Sequence, residues 1–119
     1  MDMIRLSDSE CRLISVIWED EPVNSTELVR RCEQKYGWKK STTYTILKKL
    51  EQKNAVRNEE AVVVSLVDRH QVVKQEGWDL LHRTGSTLPD FFAAFLKDRK
   101  LTREEAQQLY EMIRDAEEE

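Results

Sequence analysis

The 119-residue sequence has few of the residues that make tight turns and long loops, with three glycines and two prolines. Sheet-rich and loop-rich architectures need more of both, because glycine and proline supply the backbone angles of turns. Charged residues interrupt every apolar run well before the roughly 20 residues that span a bilayer, so no direct membrane insertion is expected. The first ten residues lack the apolar centre of a signal peptide, which predicts a cytoplasmic chain.

Residues that carry metal or catalytic chemistry are equally scarce. Cys11 and Cys32 form no C-x-x-C pair, and such a pattern is typical of small buried thiols in a reducing compartment. His70 and His82 match neither a zinc-finger spacing nor an H-E-x-x-H motif. A glycine-rich phosphate-binding loop is also missing. We therefore expect no metal, no cofactor and no enzymatic activity.

The charge is distributed unevenly along a chain whose formal net charge is −4. From Arg30 to Arg57 there are nine basic and two acidic residues, so 9 − 2 = +7. From Asp68 to Glu119 there are eight basic and twelve acidic residues, so 8 − 12 = −4. A basic block inside an acidic chain indicates a surface for nucleic acid, although a solvated helix face would show the same composition.

Helix signals and one hairpin signal follow one another in an informative order. Ser7 and Glu10 have the capping-box spacing that opens a first helix. A second helix is predicted from Asn24, with Gly37 as its C-terminal stop. A third helix is predicted from Ser41 to Lys53, with Thr43, Ile46, Leu47 and Leu50 on its inner side.

Two short strands are predicted after the third helix. Residues 56–58 form the first strand, Glu59–Glu60 the tip, and the β-branched run 61–67 the second strand. Three helices followed by a hairpin is the order of a winged helix. The sequence therefore predicts a mainly α (α+β) fold, with a winged helix-turn-helix DNA-binding domain over residues 1–67 and a helical dimerisation arm over residues 68–119.

The outer side of the third helix carries hydroxyl and ammonium groups. Short polar side chains near a helix N-terminus can approach base edges in a major groove, and flanking cations neutralise phosphates. The helix has no arginine, so we expect contacts to the DNA backbone to dominate its affinity. Two carboxylates at the tip of the wing would repel phosphates, so either the tip stays away from the DNA backbone or only Arg57 and Asn58 of the wing contact it. The predicted DNA-binding residues are Lys39, Lys40, Ser41, Thr42, Tyr44, Thr45, Lys48, Lys49 and Arg57.

The second half contains three helical segments, at 69–83, from Thr87 and from Thr102. The first is predicted to bury Val72, Val73, Leu80 and Leu81. All three have apolar faces but little mass to cover them, so packing against the same arm of a second chain is expected, with packing onto the chain's own N-terminal unit as the alternative. The predicted dimerisation residues are Phe91, Phe92, Phe95, Leu96, Leu109, Met112 and Ile113.

The sequence resembles the penicillinase and methicillin-resistance repressors (the BlaI/MecI family) along nearly its whole length. The matching segments are Leu6–Glu10 with Val16–Trp18, Trp38 with Ser41–Leu50, and Phe95–Leu96 with Leu101–Glu105 and Leu109–Tyr110. The resemblance implies a winged-helix repressor that binds double-stranded operator DNA as a homodimer and controls β-lactam-resistance or related genes.

The resemblance also implies a trigger. In characterised family members a membrane sensor-protease responds to β-lactam, and the repressor is then cut in its dimerisation region. The matching bond here is Ala94–Phe95, with alanine where the family commonly has asparagine. Copper-responsive relatives have a cysteine-rich metal tail, which this sequence lacks. A protein-interaction adaptor that uses a winged helix without DNA remains an alternative, and the acidic wing tip favours it.

Overall fold

The computed structural model describes residues 4–117. Over this range the chain forms six α-helices and three short β-strands. The helices are α1 (Asp8–Glu19), α2 (Ser25–Tyr36), α3 (Lys40–Gln52), α4 (Arg69–Thr84), α5 (Leu88–Lys97) and α6 (Arg103–Ala116). The strands are β1 (Val23–Asn24), β2 (Val56–Glu59) and β3 (Val62–Ser65). The chain packs as two compact units, Met1–Gly77 and Trp78–Glu119.

The predicted helix ends are confirmed in the first unit. The Ser7 N–H donates to Glu10 Oε1 at 2.8 Å, and the Glu10 N–H donates to Ser7 Oγ at 3.2 Å, so the capping box of α1 is complete. Asn24 Oδ1 accepts from the Thr26 N–H at 2.8 Å and caps α2. Gly37 ends α2 with a φ of +70°, a left-handed angle that glycine adopts without strain.

A three-stranded antiparallel sheet replaces the predicted two-stranded hairpin. Its order is β1-β3-β2, and β1 pairs Val23 with Val63. The turn residues of the hairpin are Glu60 and Ala61, one position later than predicted, because Glu59 still pairs with Val62. Both turn residues have positive φ, as a two-residue turn requires when it follows the twist of the strands. The strand β1 was missed because two residues are too short for any alternation to show.

One buried apolar cluster holds the first unit together. Its members come from the inner faces of α1, α2 and α3 and from the sheet, and they include the apolar inner residues predicted for α3. They are Leu13, Ile14, Val16, Ile17, Val23, Leu28, Cys32, Ile46, Leu47, Leu50, Ala55, Val56 and Val63. Cys32 is buried as predicted, and desolvation of its thiolate raises its pKa to about 11, so it is unreactive as a nucleophile.

An ion pair joins α1 to the end of α3. Glu10 is 2% exposed, and its carboxylate accepts from Lys53 Nζ at 2.5 Å, while Lys53 also donates to the Arg5 carbonyl at 2.7 Å. Burial raises the pKa of Glu10. The hydrogen bonds from Lys53 and from the Ser7 N–H together lower it by more than burial raises it, so the pKa falls below its ordinary value of 4.5.

We expect Glu10→Gln to destabilise the chain by about 1 kcal/mol at neutral pH, since the amide keeps the cap and loses only the charge. A lowered folded-state pKa contributes stability above the unfolded pKa and loses it as the pH falls through the folded pKa. The difference between the two proteins should therefore shrink below about pH 4.5. Thermal unfolding at about pH 7 and about pH 3 checks this, and an equal difference at both would contradict it.

The second unit has caps but almost no core of its own. Thr87 with Asp90, and Thr102 with Glu105, form the capping boxes of α5 and α6. No residue of α5 or α6 is buried among those described, and Leu81 is the buried residue of α4. The expectation that α4 buries Val73 and Leu80 is wrong for the single chain, where both are exposed. No helix within residues 4–117 is long and apolar enough to cross a membrane.

Candidate nucleic-acid interface

The outward face of α3 is a continuous polar surface. Ser41, Thr42, Thr45, Lys48 and Lys49 are all exposed, and the helical rise of 1.5 Å per residue spreads them over about 12 Å. The opposite face is the buried one. This face has the dimensions and the chemistry of a helix that enters a major groove.

The N-terminus of α3 is left without a side-chain cap. Lys39 occupies the N-cap position and makes no capping hydrogen bond, whereas side chains cap α1, α2, α5 and α6. The first hydrogen bond along the helix runs from the Thr43 N–H to the Lys39 carbonyl at 3.1 Å. The preceding backbone N–H groups therefore point outward, where they can donate to a phosphate oxygen.

The structure divides the nine basic residues of the +7 block into two groups. One group forms ion pairs: Arg30 with Glu27, Arg31 with Asp20 and Glu27, Lys35 with Glu19, Lys53 with Glu10, and Arg57 with Glu59. The other group forms no ion pair with any residue between positions 4 and 117. It consists of Lys39, Lys40, Lys48 and Lys49, which all belong to α3 or the turn before it.

This division follows from the faces of the helices. The carboxylates of Glu19, Asp20 and Glu27 lie at the end of α1 and in the first turn of α2, within reach of the outer side of α2. The first acidic residue on α3 is Glu51, near its end. We refer below to Lys39, Lys40, Lys48 and Lys49 as the unpaired lysines. They concentrate the available positive charge on α3, where the sequence showed only a broad basic block.

Tyr44 lies between the two faces of α3. Its ring is half-buried against the apolar cluster, and its hydroxyl donates to Ser25 Oγ at 3.4 Å. The sequence placed it beside the outer face, so its contact with DNA remains a prediction. Thr45 donates its hydroxyl to the Ser41 carbonyl at 2.9 Å, which leaves the hydroxyl oxygen available as an acceptor.

Ser25 joins three elements of this interface and is not among the residues predicted for it. It is buried at the start of α2, and its N–H donates to the Ala61 carbonyl at 2.8 Å in the hairpin turn. Its hydroxyl accepts from Tyr44 of α3. The missing signal was β1, because only its pairing with β3 brings Ser25 to the wing.

The wing presents a charge that differs from that of α3. Arg57 is exposed and pairs with Glu59 at 3.4 Å, and Glu60 occupies the turn. The pair neutralises Arg57 and leaves the turn acidic. Within residues 4–117, Arg57 is the one predicted DNA-binding residue that forms an ion pair.

The predicted dimerisation residues lie together in the second unit. Phe91, Phe92, Phe95 and Leu96 of α5 face Leu109 and Met112 of α6 around an apolar groove of about 300 Å³. Phe91 stacks with Phe95 at 5.8 Å between ring centroids. Ile113 lies outside the lining of this groove and is 62% exposed.

Ala94 and Phe95, the residues of the predicted cleavage bond, are both exposed in the interior of α5. A protease that cuts an extended strand of substrate would have to unwind this helix first. The described residues 4–117 contain no cluster of histidine, cysteine, aspartate or glutamate that could hold a metal ion.

The chain matches the model of one protein family, described as penicillinase repressor, over residues 6–115. A curated relative, the penicillinase repressor of Bacillus licheniformis, is 24% identical over 116 residues, which cover 93% of this chain and 91% of that protein. Both matches are to repressors and not to enzymes, in agreement with the sequence-based prediction.

Two solved structures share the fold. One is the solution structure of the DNA-binding domain of the repressor BlaI, with a TM-score of 0.54 and 23% identity. The other is the solution structure of monomeric Bacillus licheniformis BlaI in complex with the blaP half-operator, with a TM-score of 0.50 and 24% identity. Each match covers 59% of this chain and 90% of the other. These likenesses confirm the winged-helix fold.

Proposed function

The chain belongs to the penicillinase repressor family, and on this premise we propose that it is a homodimeric transcriptional repressor that binds double-stranded operator DNA. A repressor of this kind acts by occupying a promoter and needs no catalysis. Its affinity must come from contacts to phosphates, and its sequence preference from the side chains that reach base edges.

The observation that carries the proposal is the position of the unpaired lysines. They flank the hydroxyl-bearing face of α3, and no carboxylate of the described chain neutralises them. An unneutralised cation that binds a phosphate releases condensed counterions from DNA, which is the main source of affinity in such complexes. Ser41, Thr42 and Thr45 would then face the bases, and the uncapped N-terminus of α3 would bind a phosphate.

We assign DNA binding to residues 1–67 and dimerisation to residues 68–119. Support comes from the contrast in burial, since the apolar cluster lies in the first unit and α5 and α6 have no buried side chain of their own. A two-fold dimer would present two copies of α3 to half-sites about 34 Å apart.

We propose that the repressor is released from its operator when a membrane sensor-protease cuts the Ala94–Phe95 bond. The cut would separate α6 and the end of α5 from the rest of the chain, and with them Phe95, Leu96 and Met112 of the apolar groove. Loss of the dimer would then weaken binding to a two-half-site operator.

A gel shift and a footprint on the DNA upstream of the chain's own gene test the function. We expect a shifted complex at low salt that survives unrelated competitor DNA, and two protected half-sites related by a two-fold axis. Affinity should fall steeply as the salt concentration rises from about 50 mM to about 200 mM. A protein that stays unbound on every duplex at low salt would favour the adaptor alternative, for which the acidic wing is the supporting observation.

A variant of the wing is expected to bind DNA more tightly than the wild-type protein. We expect Glu59→Gln with Glu60→Gln to raise the affinity for any duplex by about five-fold, because two repelling charges near the phosphates are removed and Arg57 is released from its ion pair. Titration by fluorescence anisotropy measures the change. Glu33→Gln with Glu76→Gln, which removes two exposed carboxylates elsewhere, should leave the affinity nearly unchanged. An equal gain in both double variants would mean that net charge alone decides.

A further inference from the structure

The connection between the wing and α4 is held at consecutive residues. The Leu66 N–H donates to the Ala55 carbonyl at 2.8 Å, directly after β3 ends. One residue later, the Val67 carbonyl accepts from the indole Nε1–H of Trp18 at 3.1 Å. A connection whose backbone groups are bound in this way does not behave as a flexible linker.

Trp18 also contacts the first residue of α4. The guanidinium carbon of Arg69 lies 5.4 Å from the centroid of the Trp18 ring, in the range of a cation–π interaction. Next to it, the Asp68 N–H donates to Gln71 Oε1 at 3.0 Å and closes the first turn of the helix. The side chain of Trp18 therefore contacts both Val67 in the connection and Arg69, the first residue of α4.

The same helix α1 also supports α3. Ile14 and Ile17 of α1 share the buried apolar cluster with Leu47 and Leu50 of α3. Trp18 follows directly in the chain and is half-buried against this cluster. The helix α1 therefore contacts both α3 and the start of α4.

We propose that Trp18 is a positioning residue for DNA recognition, which fixes the start of α4 and thereby the half-site spacing that the dimer accepts. The inference rests on the proposed function, because spacing matters only to a repressor with two recognition helices. The helix α4 is continuous from Arg69 to Thr84, so the residue that contacts Trp18 belongs to the same helix as the residues that lead into the arm.

The test compares Trp18→Phe with Tyr36→Phe in the full chain. Each substitution removes one side-chain donor from a backbone carbonyl at 3.1 Å and keeps an aromatic ring, but the carbonyl that Tyr36 reaches is that of Arg12 in α1 and not that of Val67 beside α4. Arg69→Gln is a second variant, which removes the cation over the Trp18 ring without touching the apolar cluster.

Two measurements are made on each protein. The first is hydrogen exchange of the free protein, where we expect amides in the first turns of α4 to exchange roughly two- to ten-fold faster in Trp18→Phe while those of α3 keep their rates. The second uses the footprinted duplex and a duplex with about five base pairs inserted between the half-sites, which turns them to opposite sides of the DNA. The wild-type protein should lose at least about 100-fold in affinity on insertion, and Trp18→Phe should lose at least five-fold less than the wild type does.

The inference is overturned if Trp18→Phe matches Tyr36→Phe both in the exchange of α4 and in the penalty for the insertion. If the wild-type protein binds no duplex, the proposed function fails instead, and the exchange comparison still decides whether Trp18 holds α4. Faster exchange in Arg69→Gln as well would assign part of the effect to the cation–π contact.

Discussion

Replacing Lys48 and Lys49 by alanine is expected to weaken binding to every duplex by about 10- to 100-fold near 0.1 M salt, and to reduce the slope of log affinity against log salt by about two. Each phosphate contact contributes about 0.9 to that slope, because each releases its share of condensed counterions. The loss should be the same on specific and unrelated DNA, since a contact to a phosphate does not read sequence. Anisotropy titrations over a range of salt concentrations measure both quantities.

The matched control is Arg30→Ala with Lys35→Ala. It removes the same formal charge from the same basic block, but the structure pairs these two residues with Glu27 and Glu19. We expect little change in slope, because a cation that is already paired within the protein releases few counterions from DNA. Equal losses in the two double variants would show that the interface is the whole basic block, and would remove α3 from its special position.

Replacing Ile113 by aspartate is expected to weaken the dimer by more than 100-fold and to leave each chain folded. Ile113 is 62% exposed in the single chain, so a polar residue costs little there. In a two-fold dimer the substitution acts on both chains, and each loses roughly 1.5–3 kcal/mol of apolar burial and buries an unpaired charge. Sedimentation equilibrium gives the dissociation constant, and circular dichroism checks the fold.

Gln107→Asp is the control for the dimer. It adds the same charge to α6, but helical spacing places it on the opposite side from Leu109 and Ile113, where its amide donates to Glu111. A chain that ends at Ala94 should be monomeric like Ile113→Asp, because it lacks α6 altogether. If Ile113→Asp remains a dimer at micromolar concentration while the shortened chain does not, the interface lies in the residues after Ala94 and does not depend on Ile113.

Capping residues and apolar periodicity were enough to predict the helices. Ser7 with Glu10, Asn24, Gly37 and Thr102 each mark a helix end within a residue or two, because capping is a local interaction between neighbours in the chain. The buried side of α3 was predicted for the same reason, since a helix with one apolar stripe has one way to face a core.

Interactions between distant parts of the chain could not be read from local patterns. The strand β1 has two residues and exists only because β3 is there to pair with it. The exposure of Val73 and Leu80 on α4 was likewise unpredicted, because apolar spacing shows that a face is to be covered and does not show what covers it.

The sequence by itself determined which segments are helices, which face of α3 is polar and that positive charge is concentrated before residue 58. Only the tertiary structure decided which of those charges meet carboxylates from distant parts of the chain, because the pairs of Arg30 with Glu27 and of Arg57 with Glu59 are local. Ion pairs form between side chains that packing brings together, such as Lys35 with Glu19 and Lys53 with Glu10, and their partners lie 16 and 43 positions away in the chain. A count along the sequence includes every charge equally, whereas the folded chain pairs five of the nine basic residues with carboxylates and leaves the unpaired lysines without an ion pair among residues 4–117.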